Sequence, residues 1–129
     1  MTQQELKRRT KLLALRVINL VENLPPTKTS SVLGKQLLRS ATSVGANYRA
    51  ACRAKSTADF IAKLAIVEEE VDESIYWLEL LAESEQVKLI RVEDMLREFD
   101  EILSIVVAAI KTSKARRNPN SAIPNPKYK

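Results

Sequence analysis

Residues 56–82 read STADFIAKLAIVEEEVDESIYWLELLA, and their periodicity decides the fold. Phe60, Leu64, Val67, Val71, Ile75, Leu78 and Ala82 recur at steps of three and four, which lines them along one face of a helix. Glu69, Asp72, Glu73 and Glu79 fall mainly outside that face. Ser56-Thr57-Ala58-Asp59 supplies a capping hydroxyl with a carboxylate three residues on, so the helix opens there. An apolar stripe of this length needs other amphipathic elements to cover it.

The flanking sequence supplies them. A first helix is predicted from Gln3 to Asn23, with Leu6, Leu13, Val17, Leu20, Val21 and Leu24 on one side. Pro25-Pro26 ends it, because the residue before proline avoids the α region. A second helix is expected to start after Thr29 or Ser30, either of which can cap it, and to end near Ala54-Lys55. Its inner side is Leu33, Leu37, Ala41, Val44, Tyr48 and Ala51. Ser84 to Arg91 reads as a connection, although it holds no strong breaker. Val92, Met95, Leu96, Phe99, Leu103, Val106 and Ile110 then mark a fourth helix. Four such helices on short connections predict an all-α fold, an antiparallel up-down-up-down four-helix bundle over residues 1–113. Residues 114–129, KARRNPNSAIPNPKYK, carry three prolines, three asparagines and only basic charges. They predict a disordered basic tail.

Composition narrows the chemistry. The 129-residue chain has no histidine, which removes the commonest general base and the commonest metal ligand. With two glycines, Gly34 and Gly45, it has little material for phosphate loops; Gly34-Lys35 lacks the upstream glycine of a P-loop. The single cysteine, Cys52, reads as a small helix-packing residue and fits a reducing compartment. Glu68-Glu69-Glu70-Val71-Asp72-Glu73 is an acidic run, but metal sites in bundles normally combine glutamate with histidine. The expectation is a non-enzymatic protein with no cofactor and no metal. The charged N-terminus has no signal core, and no apolar run approaches the roughly 20 residues of a membrane span, so a cytoplasmic setting without membrane association is expected.

The net charge of +5 conceals segregation. Residues 1–63 hold 12 Lys/Arg against 3 Asp/Glu, residues 64–110 hold 3 against 13, and residues 111–129 hold 6 against none. On the second helix Lys35, Arg39, Arg49 and Arg53 fall within about 80° of one another on the outer face. With Lys7, Arg8, Arg9 and Lys11, and with Lys114, Arg116 and Arg117, they make a candidate phosphate-binding surface. The bland alternative is pairing with the acidic third and fourth helices. Aromatic residues (Tyr48, Tyr76, Trp77, Tyr128) are too sparse for a base-stacking platform, so contact with the backbone of RNA or DNA is expected.

Two further patterns stand out. Gln36, Ser40, Ser43 and Asn47 lie beside the core face of the second helix. They are read as a structural polar network, with Ser40 and Asn47 meeting Glu68 or Glu70; a ligand site is the alternative. Ile66, Trp77 and Leu80 on the third helix, and Leu12 and Leu15 on the first, form a second apolar face, read as an oligomer interface anchored by the tryptophan.

Leu37-Leu38-Arg39-Ser40-Ala41-Thr42-Ser43-Val44-Gly45-Ala46-Asn47 resembles the signature of the bacterial four-helix-bundle proteins encoded in intervening sequences of large-subunit ribosomal RNA genes. Ala58-Asp59-Phe60-Ile61 and the Glu-rich run before Trp77-Leu78-Glu79 resemble that family too, and the similarity spans about residues 5–112. The resemblance implies an antiparallel bundle assembled as a ring-like homopentamer, with a basic surface that binds RNA or DNA. The accessory proteins of diversity-generating retroelements are similar in fold, which adds a reverse transcriptase, or another element-encoded protein, as an expected partner. One departure is evident. Many members follow the asparagine with an Ile-Ala-Glu-Gly type sequence, whereas here Tyr48-Arg49-Ala50-Ala51-Cys52-Arg53 stands in its place. Three functional readings result: a nucleic-acid-binding oligomeric scaffold, a protein–protein adaptor, and a purely structural oligomer.

Overall fold

The computed structural model describes residues 1–117. Four helices follow one another: α1 (Gln3–Glu22), α2 (Lys28–Cys52), α3 (Thr57–Glu83) and α4 (Leu89–Arg117). Each packs on the next, α1 also meets α4, and among the described residues no close backbone approach crosses either diagonal. This is the four-helix bundle expected from the sequence. The α1–α4 seam is much the thinnest of the four. The antiparallel order puts the start of α1 and the end of α4 together: Met1 and Thr2 line the same 340 Å³ cavity as Thr112, Ser113 and Arg116.

Local chemistry explains where the helices begin. Thr2 caps α1 in a full capping box, accepting from the Glu5 amide while Glu5 accepts from the Thr2 amide. The same bond holds the Glu5 carboxyl below its ordinary value. Ser56 caps α3 by accepting from the Asp59 amide, as its sequence indicates. The cap of α2 is Thr27, not Thr29 or Ser30, and its hydroxyl accepts from the Ser30 amide. Thr27 follows the two prolines directly, in the extended backbone an N-cap needs. The far end of α2 stops at Cys52 and α1 stops at Glu22, slightly short of the expected ends.

The α3–α4 connection is Ser84–Lys88, so α4 starts three residues earlier than its apolar pattern suggests. Glu85 takes a left-handed conformation at φ 63°. The Glu85 amide then donates to the Ala82 carbonyl and the Gln86 amide to the Leu81 carbonyl, the two bonds of a Schellman ending. Gln86 also accepts from the Thr27 and Ser30 hydroxyls, tying this loop to the start of α2. At its other end α4 continues through Lys114–Arg117, four residues past the expected bundle boundary. The remaining twelve residues of the expected tail lie outside the described residues.

Phe99, Leu13, Leu37, Leu64, Leu78, Leu81 and Ile102 are fully buried. Each apolar side chain of this kind contributes about 1.5–3 kcal/mol when withdrawn from water. The buried line on α3 is Ile61, Leu64, Val67, Val71, Ser74, Leu78 and Leu81. Phe60, Ile75 and Ala82, expected on that line, are its half-buried neighbours. The axis of burial is therefore turned toward α2, the helix with which α3 packs most extensively.

Candidate nucleic-acid interface

A groove runs along the outside of the α1–α2 pair. Its floor exists because the two helices touch where α2 has no side chain: a Cβ on Gly45 would stand 3.2 Å from Thr10 Oγ1. The Thr10 hydroxyl is itself turned inward, donating to the Leu6 or Lys7 carbonyl at 3.0 Å. Ala14 and Ala46 continue this low floor. Lys7, Arg8 and Lys11 rise on the α1 side and Arg49 on the α2 side, around a cavity of 630 Å³. No carboxylate lies among its lining residues, and among the described residues none of these four cations has one within 4 Å.

The other expected basic residues go elsewhere. Arg9 turns to the opposite side of α1 and grips α4, donating through Nε to Glu98 at 2.9 Å and through Nη2 to Glu98 and Glu101. That charge-assisted pair holds the Glu98 carboxyl below its ordinary value and raises the guanidinium further still. Arg9 is therefore a seam residue and is removed from the candidate phosphate contacts. Arg39 leans toward α3, with Glu73 at 3.6 Å, both largely exposed. Lys35 sits at the far end of α2 beside Val21, Leu24 and Pro25, away from the groove. Arg53 is the C-cap of α2, and Lys114, Arg116 and Arg117 occupy the last turn of α4. The antiparallel order brings these four to the same end of the bundle as Lys7 and Arg49. Cations in a last turn also complement the helix dipole.

The polar strip on α2 is satisfied differently from expectation. The Ser40 hydroxyl lies 2.8 Å from that of Ser74, with both residues fully buried. Ser74 also donates to the Glu70 carbonyl. Ser43 donates to the Arg39 carbonyl and Asn47 to the Ser43 carbonyl, bonds made within α2 itself. Gln36 is exposed. Glu68 and Glu70 give no side-chain bond to Ser40 or Asn47; the buried serine partner is Ser74, which polar residues inside an apolar α3 stripe would have signalled. Glu70 Oε1 is buried and has no partner among the described residues, and desolvation, with Glu73 nearby, pushes that carboxyl above its ordinary value. Trp77 Nε1 is likewise buried without a partner. Among the described residues no group of acidic or sulfur side chains is placed to hold a metal ion.

The second apolar face divides into two patches. Leu12 and Leu15 are about half exposed, with Ile18 beside them, and they border a 550 Å³ groove shared with Arg16, Arg91 and Met95. On α3, Ile66 is exposed, but Trp77 and Leu80 are half-buried, and Trp77 packs against the core. Tyr76, absent from the expected face, is the exposed aromatic among the described residues, meeting the indole edge to face at 5.1 Å. Since α1 and α3 are not adjacent, the patches lie on different sides of the bundle. No helix of the described residues is long and apolar enough to cross a membrane.

The model of the family described as 23S rRNA-intervening sequence protein matches residues 2–108. A crystal structure of a protein of unknown function from the S23 ribosomal protein family of Bacteroides thetaiotaomicron is similar at 39% identity and a TM-score of 0.80. The match covers 86% of this chain and 99% of that one. No curated protein matches the chain.

Proposed function

We propose that this chain, which belongs to the family of 23S rRNA-intervening sequence proteins, is a non-enzymatic, homo-oligomeric scaffold that holds the backbone of RNA or DNA in its α1–α2 groove. One observation carries the reading: Lys7, Arg8, Lys11 and Arg49 converge on a trough free of carboxylates, while Arg9 and Arg39 have acidic partners. Unpaired cations around a low floor suit phosphates, and their contacts would carry little sequence information. The two apolar patches favour self-assembly, since surfaces on different sides of one bundle can join copy to copy, and the family resemblance points to five copies. Repetition of a weak site would raise avidity.

Fluorescence anisotropy with a structured RNA and a duplex DNA tests the binding. Submicromolar affinity at low salt that falls steeply toward physiological salt is expected, and Lys11→Glu with Arg49→Glu abolishes it while the circular dichroism stays unchanged. Affinity untouched by that pair, or none at low salt, refutes the reading. Leu15→Glu, followed by light scattering, tests the assembly, which is expected to fall toward the monomer mass. The adaptor reading places a partner on the Ile66, Trp77 and Leu80 face of α3, where Ile66 is exposed: a defined protein, such as a reverse transcriptase, recovered by pull-down after nuclease treatment and lost in Ile66→Glu would favour it.

A further inference from the structure

We infer that the α1–α2 groove takes a base-paired backbone, a stem or duplex, rather than an unpaired strand; this rests on the nucleic-acid reading above. Proteins that hold unpaired strands place aromatic rings beside their cations, because each exposed base needs a surface on which to stack. In this groove the cations stand without rings. Tyr48 and Phe99 are buried in the core and Phe60 packs against it. Tyr76 and Trp77 are on α3, which does not line the groove. The floor itself is Thr10, Gly45, Ala14 and Ala46, small side chains that carry no aromatic face. Such a surface offers charge to phosphates and no ring on which a base could stack. A paired backbone fits it, since its bases are already stacked on one another and its phosphates are more densely spaced along the axis.

The arrangement of charge agrees. Lys7 and Lys11 are one turn apart on α1, with Arg8 beside them, and Arg49 faces them from α2. Cations on two walls of a shallow trough contact a ridge of phosphates from both sides. The hydroxyl of Thr42, exposed on the α2 wall, is turned back to the Leu38 and Arg39 carbonyls and leaves its oxygen to accept from a sugar hydroxyl.

The test uses the full chain and four labelled oligonucleotides of equal length: an RNA hairpin, a DNA hairpin, and an unpaired strand of each sugar. Anisotropy at one fixed, moderate salt concentration is expected to give hairpins about tenfold tighter than the matching unpaired strand. The better of the two hairpins identifies the sugar preferred. Ala46→Glu, which puts a carboxylate on the exposed floor, and Thr42→Glu as a second variant are expected to remove hairpin binding. Ala62→Glu on the exposed side of α3 leaves it intact. Unpaired strands bound as tightly as hairpins, with both lost in Ala46→Glu, would overturn this inference and leave the nucleic-acid reading standing. Hairpin binding unaffected by both floor variants would overturn the groove assignment, and no binding of any oligonucleotide would overturn both.

Discussion

Arg9 and Glu98 form a two-point contact between helices that otherwise scarcely meet: Nε and Nη2 of the guanidinium donate to the two carboxylate oxygens at 2.9 and 2.8 Å. This is the fork geometry for which arginine is suited and lysine is not. It fastens α1 to α4 across the thinnest seam of the bundle.

Arg9→Gln is expected to lower unfolding stability by about 1 kcal/mol, the scale of a well-formed, partly screened charge pair. It is expected to leave nucleic-acid affinity unchanged, in contrast to Arg49→Glu. The loss has a sign in pH. Glu98 titrates below its ordinary value because Arg9 bonds its ionised form. Its stabilisation is therefore present above the usual glutamate range, about pH 4.3, and lost as pH falls through the depressed folded value. Urea titrations at pH 7 and at pH 3 are expected to show the gap between parent and variant closing in acid.

At Gly45 the helix preference and the packing act in opposite directions. Alanine gains about 1 kcal/mol of helix propensity over glycine. Its Cβ meets a threonine oxygen at 3.2 Å whose rotor is already committed to the α1 carbonyls. Gly45→Ala is expected to fall within about 1 kcal/mol of the parent, whereas Gly45→Leu loses about 1–3 kcal/mol through overpacking. Chemical denaturation of the two variants checks both values.

Ser40 and Ser74 share one buried hydrogen bond, so their substitutions are coupled. Ser40→Ala strands little, because Ser74 still donates to the Glu70 carbonyl, and about 1 kcal/mol is expected to be lost. The double alanine variant is expected to cost less than the two single losses added, since the one shared bond can be lost only once. A double-mutant cycle in urea gives the difference directly.

Glu85 is the one described non-glycine residue held at positive φ. Glycine adopts that conformation without a steric penalty. Glu85→Gly is expected to raise stability by about 0.5–1 kcal/mol, read as an upward shift of the thermal midpoint.

Glu85 also shows why part of the fold was hard to read. The end of α3 is made by backbone bonds around a residue that gives no glycine or proline signal, so the loop and the first turn of α4 merged in the sequence. The helices themselves were legible because burial recurs at fixed steps, from Leu6 to Ile110. Which edge of a stripe faces which neighbour was not legible: Ser74 and Leu81 are buried where Ile75 and Ala82 were expected, since wheel position says nothing about where the next helix stands. The candidate site was half legible. Clustered cations identified Lys7, Arg8, Lys11 and Arg49; sequence adjacency grouped Arg9 with them, although a wheel at 100° per residue sets it about 160° from Lys7 and Lys11. Only the position of α4 shows that Glu98 has taken it. Tyr76 and Ile18 were missed on the apolar faces, although a wheel places Ile18 about 60° from Leu15 and Tyr76 about 40° from Leu80.

The shared cavity of Met1, Thr2, Thr112, Ser113 and Arg116 also bears on how this chain can be connected to others. A bundle whose first and last helices leave from one end can be rewired. A short linker between those ends, with new ends cut at Ala54-Lys55 in the α2–α3 loop, keeps every helix in its place while changing the order of synthesis. It also means that a fluorophore or enzyme fused at Met1 emerges at the end of the bundle that holds Lys7 and Arg49. A reporter of occupancy belongs there, and new ends cut in the α2–α3 loop emerge at that same end of the bundle.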